Sequence, residues 1–541
     1  MTGKIIDNAT GLMPLPKSTA QASEPTPPSA GSLEIWEQTT DLNRSYLLYR
    51  RQDSAIRRLE FLNSTPPVGI PTLPVTCTTA SITLYVATTG SDSNDGLTVP
   101  TAMLTIAAAL NKVPYLIKHT VIINVGAGNF TGFVLDNRWA VAGNSTASLT
   151  IQGADFINYT PVGGGTGSGT ATGGSTSQLI DGGQAWATNA LRGYIIYVGG
   201  EYKLIRKNDA TTLDTVGLLA GSPSGKAYQI MDLATVLNAS PADAMTAGDI
   251  IDVINFYPKR TGVTIAKFRV AAASGKVAVN IFNTAAPYLN WIVSHAVCGY
   301  GLVYQAVSNE IYIQDCAVIN ATSYGLALFG VLALRNFNRI LVANCCSAGG
   351  NLWGITMYYI GDVNGSSDVY SDNNLARGGI IIQGTNYATF TRMSAYGNTN
   401  AGITLSNANA INIGGGGILE LNGVGVETSS LFTQGAGITS ASVTLNAQVI
   451  KNNVGDAVRN TGGGSLYLTG CTGTGNGGYG VNTRYGCTTF ITSATTVTGA
   501  LGNATVNGVN ALTWATDFAA DGDSALNVAD NAMIMRKDSL Y

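Results

Sequence analysis

This chain carries little charge and almost no histidine. Asp, Glu, Lys and Arg together make up 11% of its 541 residues, against roughly a quarter in an average globular protein. His119 and His295 are the only histidines, so a histidine metal centre or a histidine acid–base pair has almost no material. The net charge is −3, which leaves no electrostatic footprint for nucleic acid. No apolar run reaches the ~18 residues of a membrane-spanning helix. The first thirty residues lack a basic stretch followed by an apolar one, so no secretory signal is expected. Seven cysteines, an odd number, show no metal-ligand spacing; they are expected to be buried thiols of a protein folded in a reducing cytoplasm. Disorder is excluded as well, because 45% of residues are hydrophobic.

Glycine, in contrast, is abundant, with 66 residues. It recurs at Gly275, Gly301, Gly325, Gly354, Gly379, Gly402, Gly425, Gly455 and Gly480, at steps of 23 to 30 residues, mostly followed by an apolar, alternating stretch. A period in that range marks stacked repeats, each burying its apolar face on its neighbours. Segments such as VTIAKFRV (263–270), EIYIQDCAVI (310–319) and SLYLTG (465–470) alternate with period two, as half-buried strands do. No sustained 3.6-residue pattern runs between Gly275 and Gly480. The repeats therefore read as coils of a parallel β-helix, an all-β solenoid. Asn320, Asn344, Asn373, Asn374, Asn398, Asn422, Asn452, Asn453 and Asn476 precede ladder glycines. Asn and Gly both tolerate the left-handed backbone that a tight corner needs, and both are read here as corner residues.

Five regions follow along the chain. Residues 1–78 form a head that ends in a Pro-rich linker; its charged segment 41–62 is expected to form one short helix, either a solvated helix or a docking or trimerisation element. Residues 79–156 hold an N-terminal cap and the first coils, with a helix at about 101–112 covering the open end of the solenoid. Residues 157–232 open with GGGTGSGTATGGSTS and read as a small inserted β module, a candidate recognition surface because it interrupts a smooth rod. The coils proper span 233–510, and 511–541 is a C-terminal cap.

The order YVATTGSDSNDGLT, then a TIAAAL helix, then IINVGAGNFTG resembles the opening of pectate-lyase-like right-handed β-helix proteins, especially phage tail proteins and tailspikes. The resemblance covers 82–156 closely and the coils to about 510 in pattern only. The layout of the inserted module also resembles small β modules of phage β-helix proteins. These resemblances imply a right-handed, single-stranded coil and a homotrimer on the virion. Its head would fasten to other virion structural proteins and its rod would adsorb to a host-surface polysaccharide. A capsid decoration protein and a polysaccharide depolymerase are the alternatives.

Glycan-cleaving β-helices work with carboxylate pairs. With the glycine ladder as a ruler, Asp315 and Asp368 fall on similar faces two coils apart, and Glu310 and Asp362 make a similar pair. The long steps 325–354 and 425–455 imply loops beside these acids that could wall a groove. The Asn-Thr-Asp, Asp-Asp and Gly-His-Gly motifs of polygalacturonase-like hydrolases are absent, as is a clear calcium and arginine cluster. No cofactor is expected, with calcium the one open possibility. Asp521, Asp523 and Asp530 resemble part of an EF-hand-type loop, although Ala519 and Ser524 depart from that pattern; a helical or strand-like cap is the competing reading. Asp92, Asn94 and Asp95 carry similar chemistry but read as a turn. Tyrosine, at 24 residues, offers either sugar-stacking platforms or ring packing within the rod.

Overall fold

The computed structural model describes strands within residues 4–62 and the chain at 77–135, 139–142, 147–238 and 262–507. The last stretch has interruptions of up to four residues and one longer one at 429–441; strands at 251–254, 512–515, 526–528 and 533–536 are also described. The chain divides after Thr76 into two compact units. In the first, Leu33–Gln38, Arg44–Arg50 and Ile56–Leu62 form an antiparallel meander, with Thr19–Gln21 parallel to its first strand. The helix expected over 41–62 is therefore a hairpin. Its Tyr, Leu, Ile and Phe residues suit strands, and pairing with Leu33–Gln38 overrides a weak local helical stripe.

The second unit is a right-handed parallel β-helix. Its coils contribute to two long parallel sheets, one running from Phe133–Leu135 to Leu526–Val528, the other from Ile82–Val86 to Met533–Arg536. Parallel pairing thus continues into the tail, where Met533–Arg536 is a strand. Each coil turns at corners held in the left-handed region. One corner column is Asn320, Asn344 and Asn373, at φ 67°, 55° and 51°, continued by Gly397. A second is Lys267, Trp291, Asp315, Arg339 and Asp368, at φ 54° to 63°.

The glycine ladder proves to be something other than a turn ladder. From Gly301 to Gly425, its described members lie outside the left-handed region and are needed for close approach. A Cβ on Gly379 would lie 2.5 Å from the Gly402 carbonyl oxygen and 2.9 Å from the Asn398 amide nitrogen. Asn374, Asn398, Asn422, Asn453 and Asn476 are buried. Each amide donates to the next side chain, at 2.9, 2.8, 3.2 and 2.9 Å. In each Asn-Asn pair the first residue makes the corner and the second joins this internal stack.

The rod's N-terminal end is closed by the helix Ile106–Lys112, which buries Ile106, Ala109 and Leu110. Thr105 caps it by accepting from the Ala108 N–H at 3.1 Å. Asp92 accepts from the backbone of Leu104 and Thr105, and Asp95 from Leu97 and Thr101. Both acids therefore fasten the turn and the helix start. Six cysteines are buried and all seven are free.

Candidate functional site

The inserted module folds as an antiparallel sheet of eight short strands, from Phe156–Asn158 to Ala227–Leu233. Alternate residues divide between two environments, as the period-two geometry of strands dictates. Ile196, Ile205 and Ile230 join Leu179, Trp186 and Leu213 in the module's own core. Their neighbours Ile195, Leu204 and Met231 face the rod instead, against Val293, Ala317, Ile319, Leu341, Ala343 and Tyr370. The module is seated on one outer face of the coils.

That seam is stitched by arginines. Arg206 donates to both oxygens of Asp372, at 2.7 and 2.8 Å, and Asp372 is fully buried. Burial alone would lower the Arg206 pKa, but the adjacent carboxylate outweighs it and the net shift is upward. The same guanidinium lies 4.5 Å over the Tyr370 ring. Arg192 donates to Asn344 at 2.8 Å.

The four acids singled out by sequence all meet arginines. Register places Asp315, Arg339, Asp368 and Arg392 at one corner position of successive coils. Arg339 holds Asp315 bidentately, one contact being 2.7 Å, and Arg392 Nη2 donates to Asp368 at 3.0 Å. Asp315 and Asp368 are buried, at 3% and 5% exposure. Burial raises the Asp368 pKa against the pull of Arg392 and Arg339. Glu310 and Asp362 share another position two coils apart, at the start of the same strands, with Ala333 between them. Arg335 donates to Glu310 at 2.9 Å and approaches Asp362 at 3.9 Å. Hydrogen bonds from Arg335 and Tyr312 lower the Glu310 pKa. The two pairs are not brought together. Asp521, Asp523 and Asp530 lie outside the described residues, as do 348–351 and 429–441 within the two long steps. Among the described residues, no group of three or more His, Cys, Asp or Glu side chains could hold a metal ion.

What the sequence did not single out is a cleft of about 510 Å³ where the module meets the rod. The module contributes Gln178, Arg206, Lys207, Asp214 and Leu218; the rod contributes Tyr370, Arg392, Ser394, Tyr396, Ile418, Glu420 and Lys451. A second cleft of about 230 Å³ adjoins it, sharing Gln178, Lys207, Asp214 and Tyr396 and adding Arg192 and Asp209. Lys207 sits 4.5 Å over the Tyr396 ring and 3.3 Å from Asp214, which also accepts from Gln178 at 2.7 Å. Lys451 lies 3.5 Å from Glu420. One signal for the docking was present in the sequence. Alternation lapses into continuous apolar runs at Cys316–Ile319 and Ile340–Ala343, as in strands covered on both faces.

His295 lies at the same seam. It meets the Tyr194 ring edge-on at 4.9 Å, sits against Gly193, and its Nε2 has no hydrogen-bond partner. Burial, with Arg269 nearby, lowers its pKa to about 3. Arg269 itself is bound to Asp232 and lies 4.8 Å over Tyr194. The native state thus holds His295 neutral, while the unfolded chain takes up a proton below about 6.5. Stability from this residue is complete above pH 6.5 and is lost as pH falls towards 3, amounting to about 2 kcal/mol at pH 5. Thermal midpoints measured at pH 7 and pH 5 should fall by less in His295→Gln than in the parent chain.

Fold and site together define a capped parallel β-helix with a β module docked on its flank. No family model matches the chain, and no curated protein sequence does. Solved structures similar to it include the tailspike protein gp49 from Pseudomonas phage LKA1, with 11% identity and a TM-score of 0.23, covering 76% of this chain and 75% of that one. Another is the catalytic unit of a thermostable GH87 alpha-1,3-glucanase from Streptomyces thermodiastaticus, with 10% identity and a TM-score of 0.26, covering 70% and 88%. A third is the GH136 lacto-N-biosidase from Eubacterium ramulus, with 11% identity and a TM-score of 0.21, covering 84% and 68%. No helix among the described residues is long and apolar enough to cross a membrane.

Proposed function

We propose that this chain is a tailspike-type virion protein whose rod adsorbs to a host-surface glycan through the cleft between module and rod. The observation that carries this reading is the composition of the cleft. Tyr396, a half-buried ring, supplies aromatic surface, while Gln178, Asp214, Glu420 and the lysines supply donors and acceptors within one concave space. That combination suits sugar rings, which pair apolar bodies with polar rims. In this reading the head fastens the protein to the particle. A homotrimer covers apolar side chains left bare on the rod, such as Leu332, Tyr359 and Leu501, exposed by 59%, 68% and 65%.

Adsorption to host cells or their extracted polysaccharide tests the reading. Tyr396→Ala should weaken binding about ten-fold or more, the loss of one aromatic platform. Tyr467→Ala, a ring stacked 4.7 Å from Phe490 and outside the cleft lining, should bind as the parent does. Equal binding by all three chains would remove the cleft from consideration.

One observation favours cleavage as the second reading: Asp214 from the module and Glu420 from the rod line the same cleft. A depolymerase would use these carboxylates more readily than the buried or arginine-bound Asp315, Asp368, Glu310 and Asp362. Release of oligosaccharide from host polysaccharide, abolished in Asp214→Asn and Glu420→Gln, would establish it.

A further inference from the structure

If the cleft is the glycan site, its charges decide which glycans it takes. Four cations line it, and each has a carboxylate of its own. Lys207 lies 3.3 Å from Asp214, Lys451 lies 3.5 Å from Glu420, Arg206 grips Asp372, and Arg392 lies 2.8 Å from Asp368. Among the described residues that line this cleft, no cation is left without a carboxylate. A uronate entering here would bring a further carboxylate beside Asp214 and Glu420 and would have to share lysines they already hold. Uncharged sugars meet no such penalty. A paired carboxylate keeps free lone pairs, and a paired ammonium keeps N–H donors, so hydroxyls can both donate and accept.

The cleft also has a direction. Asp372, Tyr396, Glu420 and Lys451 occupy the same position on four successive coils. Of these, Tyr396, Glu420 and Lys451 line the cleft, together with Tyr370 from the coil of Asp372. Three steps at the inter-strand spacing span about 14 Å along the rod, and one step is close to the length of a pyranose unit. A chain lying along the axis would therefore set one sugar against each coil.

We propose that the cleft binds an uncharged glycan, extended along the rod axis over about three to four sugars. The test uses the full chain on an array of bacterial surface polysaccharides, some built of neutral hexoses and deoxyhexoses and others carrying uronic or sialic acid, with Tyr396→Ala alongside. The expected result is binding to neutral polymers, about ten-fold weaker in Tyr396→Ala and changing less than about two-fold between low salt and about 0.5 M salt. Oligosaccharides cut from the bound polymer should compete with rising strength up to about three or four units and then level off. Binding confined to acidic polymers, and lost in salt, overturns the inference while leaving the cleft a glycan site. Full competition by a single monosaccharide overturns the axial placement. Binding to neither class, or binding that Tyr396→Ala leaves untouched, overturns the site itself.

Discussion

Arg206→Met is expected to loosen the module from the rod at a cost of about 3–5 kcal/mol, the range for breaking a buried ion pair by removing one partner. The cost comes from what is left behind. Asp372 is fully buried, and without the guanidinium its carboxylate faces the underside of the module unpaired. Met keeps much of the aliphatic bulk of Arg206, so the loss is electrostatic rather than a packing defect. Removing the stranded acid as well, in Arg206→Met with Asp372→Leu, should recover most of the loss, because an apolar pair of similar volume is often as stable as the ion pair. Hydrogen exchange across Glu201–Asn208 reads the effect directly: protection should fall in the single variant and return in the double. Cleft function should follow the same order. Arg206 braces Tyr370 from above, and Lys207, the next residue, covers Tyr396. Glycan binding that survives the single variant unchanged would mean that the seam and the cleft are energetically independent.

The coil architecture was legible because its cause is local and repeated. The coils need close-approach glycines, Asn or Gly at left-handed corners, and period-two strands, and these recur at nearly constant spacing. The glycines were legible in position but not in role. A turn glycine and a crowding glycine look alike in sequence; only the neighbouring coil, some 25 residues away, distinguishes them. Gly379→Asn separates the roles, since Asn is tolerated in a left-handed turn but not where Gly402 and Asn398 leave no space. The head hairpin was missed because strand pairing overrode local pattern. The cleft was out of reach for a different reason. The module could be recognised as an insertion, but the coils it rests on are fixed by contacts such as Arg206 with Asp372, which are 166 residues apart. The acid ruler did align Asp315 with Asp368, yet nothing in the spacing announced that Arg339 would stand between them.

Asn398→Ala should cost about 2–4 kcal/mol, although it removes a neutral side chain from the middle of a long rod. Asn398 is 1% exposed and uses its amide fully. Its oxygen accepts from the Asn374 backbone at 3.0 Å and from the Asn374 amide at 2.9 Å. Its nitrogen donates to the Ser371 carbonyl at 2.9 Å and to Asn422 at 2.8 Å. Truncation therefore strands the Asn374 backbone N–H in the coil interior and takes one of two partners from the Asn374 amide, which keeps Ser371 Oγ, and from Asn422 Oδ1, which keeps the backbone N–H of residue 398. The stack also runs through successive coils, so the break should weaken neighbours on both sides rather than one coil alone. Asn398→Asp provides the control that separates hydrogen bonding from shape. It keeps the volume and the acceptors but loses both donors and buries a charge, so it should be at least as damaging as alanine. Asn476→Ala offers the comparison within the stack. Asn476 accepts from Asn453, but its own amide donates only to the backbone carbonyls of Ile450 and Thr498, so fewer side chains lose a partner and the cost should be smaller. Equal thermal shifts for Asn398→Ala and Asn476→Ala would show that the amides act singly and that the stack adds nothing beyond its pairs.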